Sequence, residues 1–307
     1  MIDRFKGSLI GLAIGDAIGT TVEFKEPGTF PEVTEMIGGG VFDLPKGCWT
    51  DDTSMALCLT ESLISKKKFD PMDQMKRYVK WYRTGHLSST GECFDIGNAT
   101  AEALKRFEHT GEPYSGSENS YSAGNGSIMR LAPVPLFFAN DLYEAVKWSG
   151  ISSRTTHSAK ECVDACRLFG AMIAAAAKGM NKEDLLHPES FNYLWGQDPL
   201  APKINEIYQG SYKLLQPPAI QGSGYVVKSL EAALWAFYHG KSFEEGVLRA
   251  VNLGNDADTT GAVYGQLAGS YYGLESIPQR WVEPLAMKEL ILDYATRLHQ
   301  LLSSHEN

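Results

Sequence analysis

Residues 1–19 read MIDRFKGSLIGLAIGDAIG, and the reading of this stretch decides the fold class. From Ile2 to Ile18 the apolar side chains Phe5, Leu9, Leu12 and Ile14 stand among Gly7, Gly11, Ala13 and Gly15. Glycine costs a helix interior roughly 1 kcal/mol relative to alanine, so a helix that carries several has another use for them. Small residues at helical spacing let a second helix approach closely, which predicts a helix packed inside a bundle.

Similar periodicity recurs along the chain and predicts helices over Thr53–Ser65, Met72–Thr84, Asn98–His109, Asp141–Ser149, Ser158–Ala177, Tyr225–His239, Ser242–Leu253, Thr259–Tyr272 and Glu283–Leu302. The alanine-rich end of Ser158–Ala177 belongs at the middle of a bundle. Strand signals are almost absent. Glu32–Phe42 alternates briefly but contains Gly38-Gly39-Gly40 and reads as loop, and no βαβ spacing recurs. The expectation is an all-α fold, an orthogonal helical bundle in a single domain over residues 1–302, with 303–307 a disordered tail. Two loop-rich stretches, Thr110–Asn125 and the proline-bearing His187–Gly224, read as functional loops inside that domain.

Bulk properties narrow the function. The 307 residues are 43% hydrophobic and 21% charged, which is ample for a core and argues against disorder. A formal charge of −9 argues against nucleic-acid and anionic-membrane partners, both of which would repel the protein. No run approaches the ~20 apolar residues of a membrane span, and Asp16 ends the first apolar run too early for a signal peptide. The five cysteines include no CxxC pair, so a zinc ribbon or disulfide framework has little support. Cys162 and Cys166, one turn apart, read as small apolar residues on a helix face. Reduced thiols fit a cytoplasmic protein, expected to be monomeric.

Two acidic clusters stand out from the background. Trp49-Thr50-Asp51-Asp52-Thr53-Ser54 precedes the apolar run Met55–Leu59, and Gly254-Asn255-Asp256-Ala257-Asp258-Thr259-Thr260-Gly261 precedes Ala262-Val263-Tyr264. In mid-helix, Asp256 and Asp258 would point about 200° apart and could not share a ligand. On a turn entering a helix they can converge. Helix capping is the competing explanation, because Ser, Thr and Asp are favoured at an N-cap and the helix dipole welcomes negative charge. Capping needs one acceptor, however, and each turn supplies four or more. Crowded carboxylates repel one another unless a cation intervenes, and oxygen-only donors select hard divalent ions such as Mg²⁺, Mn²⁺ or Ca²⁺. A third acidic element, Gly15-Asp16-Ala17-Ile18-Gly19 with Glu23 beyond it, reads on its own as a helix end closed by Gly19, with Asp16 exposed and Glu23 solvated.

Gly15–Gly19, Trp49–Thr53, Gly124-Asn125-Gly126-Ser127-Ile128-Met129-Arg130, Thr156-His157-Ser158 and Gly254–Thr259 together resemble the ADP-ribosylglycohydrolase family. That family includes ADP-ribosylarginine hydrolases and the dinitrogenase reductase-activating glycohydrolase. The resemblance implies an all-α fold with two divalent cations, Mg²⁺ or Mn²⁺, at the base of a cleft. Thr50, Asp51 and Asp52 match the family's first metal-binding motif, and Asp256, Asp258 and Thr259 match the second. Glu23 matches an acidic position beside metals and substrate in some members. Phe94-Asp95-Ile96-Gly97-Asn98 looks like a further motif whose Asp lies near the metals, with Asn98 beside it toward the substrate. Asn125, Gly126 and Ser127 look like the loop that receives diphosphate and ribose, and Arg130 either braces that loop or touches the ligand. His157 resembles a histidine near the diphosphate or distal ribose; the alternative is a hydrogen-bonded core histidine. Gly222, Ser223, Gly224 and Tyr225 resemble a loop over the ligand, with Tyr225 a stacking partner.

The activity so implied is hydrolysis of the bond joining ADP-ribose to a modified protein side chain, with arginine the leading acceptor. ADP-ribosylserine and O-acetyl-ADP-ribose are alternative substrates, and a non-catalytic ADP-ribose-binding regulator is the alternative role. Asp52 or Asp256 would take a proton from water, while Glu23 or Asp95 would act as acid–base partner, and the sequence leaves this choice open. A helical phosphohydrolase is disfavoured because no histidine has an adjacent aspartate.

Overall fold

The computed structural model describes residues 1–304, and among them strand pairing is limited to isolated bridges between loop residues. The helices are α1 Ile2–Gly19, α2 Asp51–Lys66, α3 Pro71–Thr84, α4 Asn98–Thr110, α5 Pro133–Phe137, α6 Leu142–Ser153 and α7 Lys160–Ala177. They continue with α8 Lys182–Leu185, α9 Pro202–Tyr208, α10 Val226–His239, α11 Phe243–Val251, α12 Ala257–Tyr272, α13 Gln279–Val282 and α14 Lys288–Ser304. The fold is all-α, as expected.

The departures have local causes. The helix expected over Glu283–Leu302 begins only at Lys288, because Pro284 has no N–H with which to extend α13 and Met287 takes a left-handed conformation at φ 52°. The stretch His187–Gly224 contains α9, opened by Pro202 in the first turn, where a missing N–H costs nothing. At the C-terminus α14 runs on through Ser304, so the tail expected from 303 is helical for its first two residues; residues 305–307 lie outside the described residues.

At the centre lie α1 and α12. Every residue of α1 from Gly7 to Gly19 is buried, and so is every residue of α12 from Ala257 to Ser270. They run antiparallel with glycine against glycine: Gly7 meets Gly269, Gly11 meets Gly265, Gly15 meets Gly261 and Gly19 meets Ala257. A Cβ added to any of these α1 glycines would fall closer than 3.0 Å to α12 backbone, an overpacking that typically costs about 1–3 kcal/mol per site. Ser8 adds a hydrogen bond from its hydroxyl to the carbonyl of Gln266, 2.8 Å. Backbone contact at this range sets the helices in one register, and in that register the end of α1 meets the start of α12. The acidic turn before α12 therefore sits beside Asp16.

Candidate metal centre and ligand cleft

Asp16 joins the second acidic turn to the first. Its Oδ1 accepts from the backbone N–H of Thr50 at 2.8 Å and the Thr50 hydroxyl at 3.0 Å; its Oδ2 accepts from the N–H of Thr53 at 3.1 Å and the Thr53 hydroxyl at 2.6 Å. Thr53 is the third residue of α2, whose N–H an N-cap side chain ordinarily receives. Asp16 thus caps α2 from a different helix. Thr50 and Asp256, the N-cap residues of α2 and α12, make no side-chain cap bond, so capping does not explain the acidic clusters. The expectation of an exposed Asp16 and a solvated Glu23 is also corrected, since they are 0% and 3% exposed.

Freed from capping, the aspartates converge. Asp51 and Asp52 lie within the first turn of α2 rather than before it, so consecutive side chains diverge. Asp51 lines the cleft, whereas Asp52 turns inward and is fully buried. Asp256 keeps a non-helical conformation at φ −88°, ψ 65°, which separates it from the helical Asp258. The Thr50 hydroxyl lies 3.2 Å from Asp52 Oδ2 and 3.2 Å from Asp258 Oδ2, besides its contact with Asp16. Thr259 Oγ1 lies 3.4 Å from the same Asp52 oxygen. A hydroxyl carries one proton, so Thr50 can satisfy only one of the three carboxylates around it. Oε2 of Glu23, Oδ1 of Asp52 and Oδ1 of Asp258 are buried without a hydrogen-bond partner among the described residues. An unsatisfied buried polar atom costs about 1–3 kcal/mol, and more when charged.

Electrostatics reflect the crowding. Burial first, then the charges of Asp95, Asp256, Asp52 and Asp16, push the Glu23 carboxyl up to about 10. Burial and the neighbouring Asp16 and Asp256 raise Asp95 to about 7. Asp51, Asp52 and Asp258 are driven well above the ordinary carboxylate range by burial and by the carboxylates around them, Asp95 among them in each case. Burial also lifts Asp16, to about 6, against the opposing pull of its bonds to Thr53 and Thr50.

This donor set fits divalent cations. Carboxylate oxygens of Glu23, Asp95 and Asp258 lie within 4.8 Å of one another, and so do those of Asp16, Asp52 and Asp258. All are hard oxygen donors, and three carry the unpartnered atoms just described. Asp16 differs from the others in its trio. Its roughly four lone-pair positions are filled by four donors, so it orients Thr50 and Thr53 rather than offering an oxygen.

The cluster forms one wall of a cleft of about 810 Å³. Glu23, Asp51, Asp95, Asp256, Asp258 and Thr259 line it, with Asn98 and Thr100 of α4 nearby; Gly124, Asn125, Gly126, His157 and Gly222–Gly224 line it too. The two glycine-bearing segments are stitched together by Asn125 N–H to the Gly224 carbonyl, 3.0 Å, and Val226 N–H to the Ala123 carbonyl, 3.0 Å. The Asn125 side chain is committed: its Nδ2 lies 2.7 Å from Asp256 Oδ2 and 2.9 Å from Ser229 Oγ. It holds Asp256 in place, a role the sequence did not suggest.

Two expected ligand contacts do not reach the cleft. Ser127 sits behind the loop, accepting from the Ser153 hydroxyl at 2.8 Å. Tyr225 turns away, donating its hydroxyl to Glu161 and accepting from Lys203 Nζ at 2.8 Å, and does not line the cleft. Phe24, not singled out in the sequence, lines the mouth, 64% exposed and at φ 59°. Thr50 and Asp52 lie beneath the cleft floor rather than on it.

The ADP-ribosylglycohydrolase family profile matches residues 1–307, and the chain belongs to that family, a family of hydrolases. It is 44% identical over 298 residues to the ADP-ribosylarginine hydrolase Tri1 of Pseudomonas putida, covering 97% of this chain and 78% of that protein. It is 32% identical to the ADP-ribosyl-[dinitrogen reductase] glycohydrolase of Rhodospirillum rubrum, over 93% of this chain and 91% of that one. A solved structure described as an ADP-ribosylglycohydrolase-related protein complex superposes with a TM-score of 0.87 at 46% identity, covering 98% of each chain.

Proposed function

We propose that this enzyme releases ADP-ribose from modified arginine side chains of proteins, reversing mono-ADP-ribosylation, with two divalent cations, Mg²⁺ or Mn²⁺, held between α2 and α12. The observation that carries the reading is the set of unpartnered oxygens, on Glu23 and Asp258 at the wall of a cleft large enough for a nucleotide sugar and on Asp52 just beneath its floor. Thr50, Asp51, Asp52, Asp256, Asp258 and Thr259 would hold the ions. Bound there, the cations would supply positive charge to fix ribose hydroxyls and to acidify water.

The residues of the chain do the rest. Asn125, itself anchored on the Ser229 hydroxyl, holds Asp256 facing the cleft, where it or Asp52 takes the proton lost by the attacking water. Glu23 and Asp95, raised by burial and by the carboxylates around them, stand within reach of each other as acid–base partners for the departing guanidine nitrogen. The glycine-built segments around Gly126 and Gly222–Gly224 leave room for a diphosphate to approach the backbone.

Arginine as acceptor is supported by the names of the relatives from P. putida and Serratia proteamaculans, 44% and 41% identical. A cytoplasmic location is supported by free thiols at all five cysteines; among the described residues no helix is long and apolar enough to cross a membrane. We take the working unit to be a monomer.

The test is release of free ADP-ribose from an arginine-ADP-ribosylated protein, measured with Mg²⁺, with Mn²⁺ and with chelator. Release with either metal and none with chelator is expected. Release from ADP-ribosylserine or O-acetyl-ADP-ribose in place of arginine would overturn the acceptor, and no release from any would overturn the activity.

A further inference from the structure

Beside the Gly126 segment the chain buries a charge for which it supplies no counter-charge. Arg130 is 1% exposed and, among the described residues, forms no ion pair. Arginine stays ionised even when buried, and an unpaired buried cation is costly. Its donors all go to neutral acceptors. Nε reaches the Tyr78 hydroxyl at 2.8 Å, Nη1 the Gly126 carbonyl, and Nη2 the hydroxyls of Thr156 at 2.8 Å and Thr155 at 3.3 Å.

The bond to Thr156 has a consequence for His157. Arginine can only donate, so Thr156 Oγ1 accepts from it and must place its own single proton elsewhere. Thr156 is 1% exposed, and the acceptor within reach is Nδ1 of His157 at 2.8 Å. Nδ1 is then an acceptor, and the proton of the neutral ring sits on Nε2. The ring is neutral at physiological pH, because burial and the Arg130 charge depress it to about 3.

Nε2 has no hydrogen-bond partner among the described residues, and the ring lines the cleft. Glycine at 126 leaves that ring edge uncovered, since a Cβ there would come within 2.8 Å of ring Cε1 and 3.2 Å of Nε2.

We propose that Arg130 is a positioning residue: acting through Thr156, it locks His157 as the Nε2–H tautomer, holding that N–H as a donor to a phosphate-type oxygen of the bound nucleotide sugar. The same guanidinium engages the Gly126 carbonyl, keeping an acceptor that would repel such an anion turned away from it. The identity of the ligand rests on the functional reading above; the tautomer lock does not.

The experiment is ¹⁵N NMR of the histidine rings in the ligand-free full chain, paired with calorimetric titration of ADP-ribose in Mg²⁺ buffer. Expected for the wild type is a proton on His157 Nε2 and an unprotonated, hydrogen-bonded Nδ1. Thr156→Val keeps the side-chain shape, removes the donor to Nδ1, and is expected to mix the tautomers and weaken ADP-ribose binding about 10-fold, one hydrogen bond's worth. Thr156→Ser is expected to restore both. A wild-type proton on Nδ1 would overturn the lock, and so would a folded Thr156→Val protein with unchanged tautomer and affinity. Should that variant fail to fold, the wild-type spectrum alone decides the lock. An intact Nε2–H without ADP-ribose binding would overturn the donor role together with the ligand assignment, leaving the lock itself standing.

Discussion

The acidic wall of the cleft and the wall around Gly126 are built on opposite plans. On the first, Glu23, Asp51, Asp52, Asp95, Asp256 and Asp258 crowd more negative charge into buried and half-buried space than the chain can neutralise, and three of their oxygens find no partner among the described residues. On the second, the ligand-facing surface is backbone and a neutral histidine, with Arg130, a cation without an ion pair among the described residues, behind it. Each wall is electrostatically incomplete, and with opposite sign. A protein that only needed to fold would gain by neutralising both. The contrast points to a ligand that arrives with cations on one side and an anion on the other.

The sharpest way to break this comparison is to remove one unpartnered carboxylate. Asp258→Ala is expected to lower the rate of ADP-ribose release by about three orders of magnitude or more, the several kcal/mol that a cation contributes at such a centre. Circular dichroism is expected to stay helical; a variant retaining wild-type turnover would remove Asp258 from the centre.

A smaller effect is expected from Asp16, whose carboxylate is saturated. Asp16→Asn replaces an accepting oxygen with a donor facing Thr50 or Thr53, so the threonine beside the centre loses its fixed orientation. Mn²⁺ affinity, read by electron paramagnetic resonance, is expected to fall about 10- to 100-fold, the usual cost of losing a residue that orients ligands. Unchanged affinity would make Asp16 a helix cap and nothing more.

The gentlest probe is pH. With cations chelated, Asp16, Asp95 and Glu23 hold protons in the folded state up to about 6, 7 and 10, above their ordinary values of 3.8, 3.8 and 4.5. Because the folded state binds these protons more tightly, their contribution to stability is fully present below about pH 4 and is lost as pH rises through those values. The melting temperature in chelator is therefore expected to fall between about pH 5 and 9, and added Mg²⁺ to reverse the fall. A melting temperature that rises with pH in chelator would mean the cluster is not crowded in solution.

How much of this could be read in advance differs from residue to residue. The small residues of α1 announced a close helix contact, but the partner was identifiable only by setting Gly7, Gly11, Gly15 and Gly19 against Gly269, Gly265, Gly261 and Ala257 in antiparallel register. Asp16 was misread as exposed although a signal was present: a helix with apolar or small residues on every face from Leu9 to Gly19 is buried all round, and an acid within it must be buried as well. Tyr225 lies off the cleft because Glu161 and Lys203, distant in sequence, draw its hydroxyl away. For Asn125 the position was expected but not the task, since nothing local indicates that its amide serves Asp256 across 131 residues.

Local chemistry determined what the chain alone can state. Helical periodicity specifies an all-α protein, oversupplied acidic turns specify an appetite for hard cations, and ordered motifs specify the family. Tertiary structure decided the electrostatic outcome, because whether a carboxylate is saturated like Asp16 or stranded like Asp258 depends on which donors other segments bring to it. The same holds for the proton on His157, placed by an arginine 27 positions away and by the one threonine hydroxyl between them.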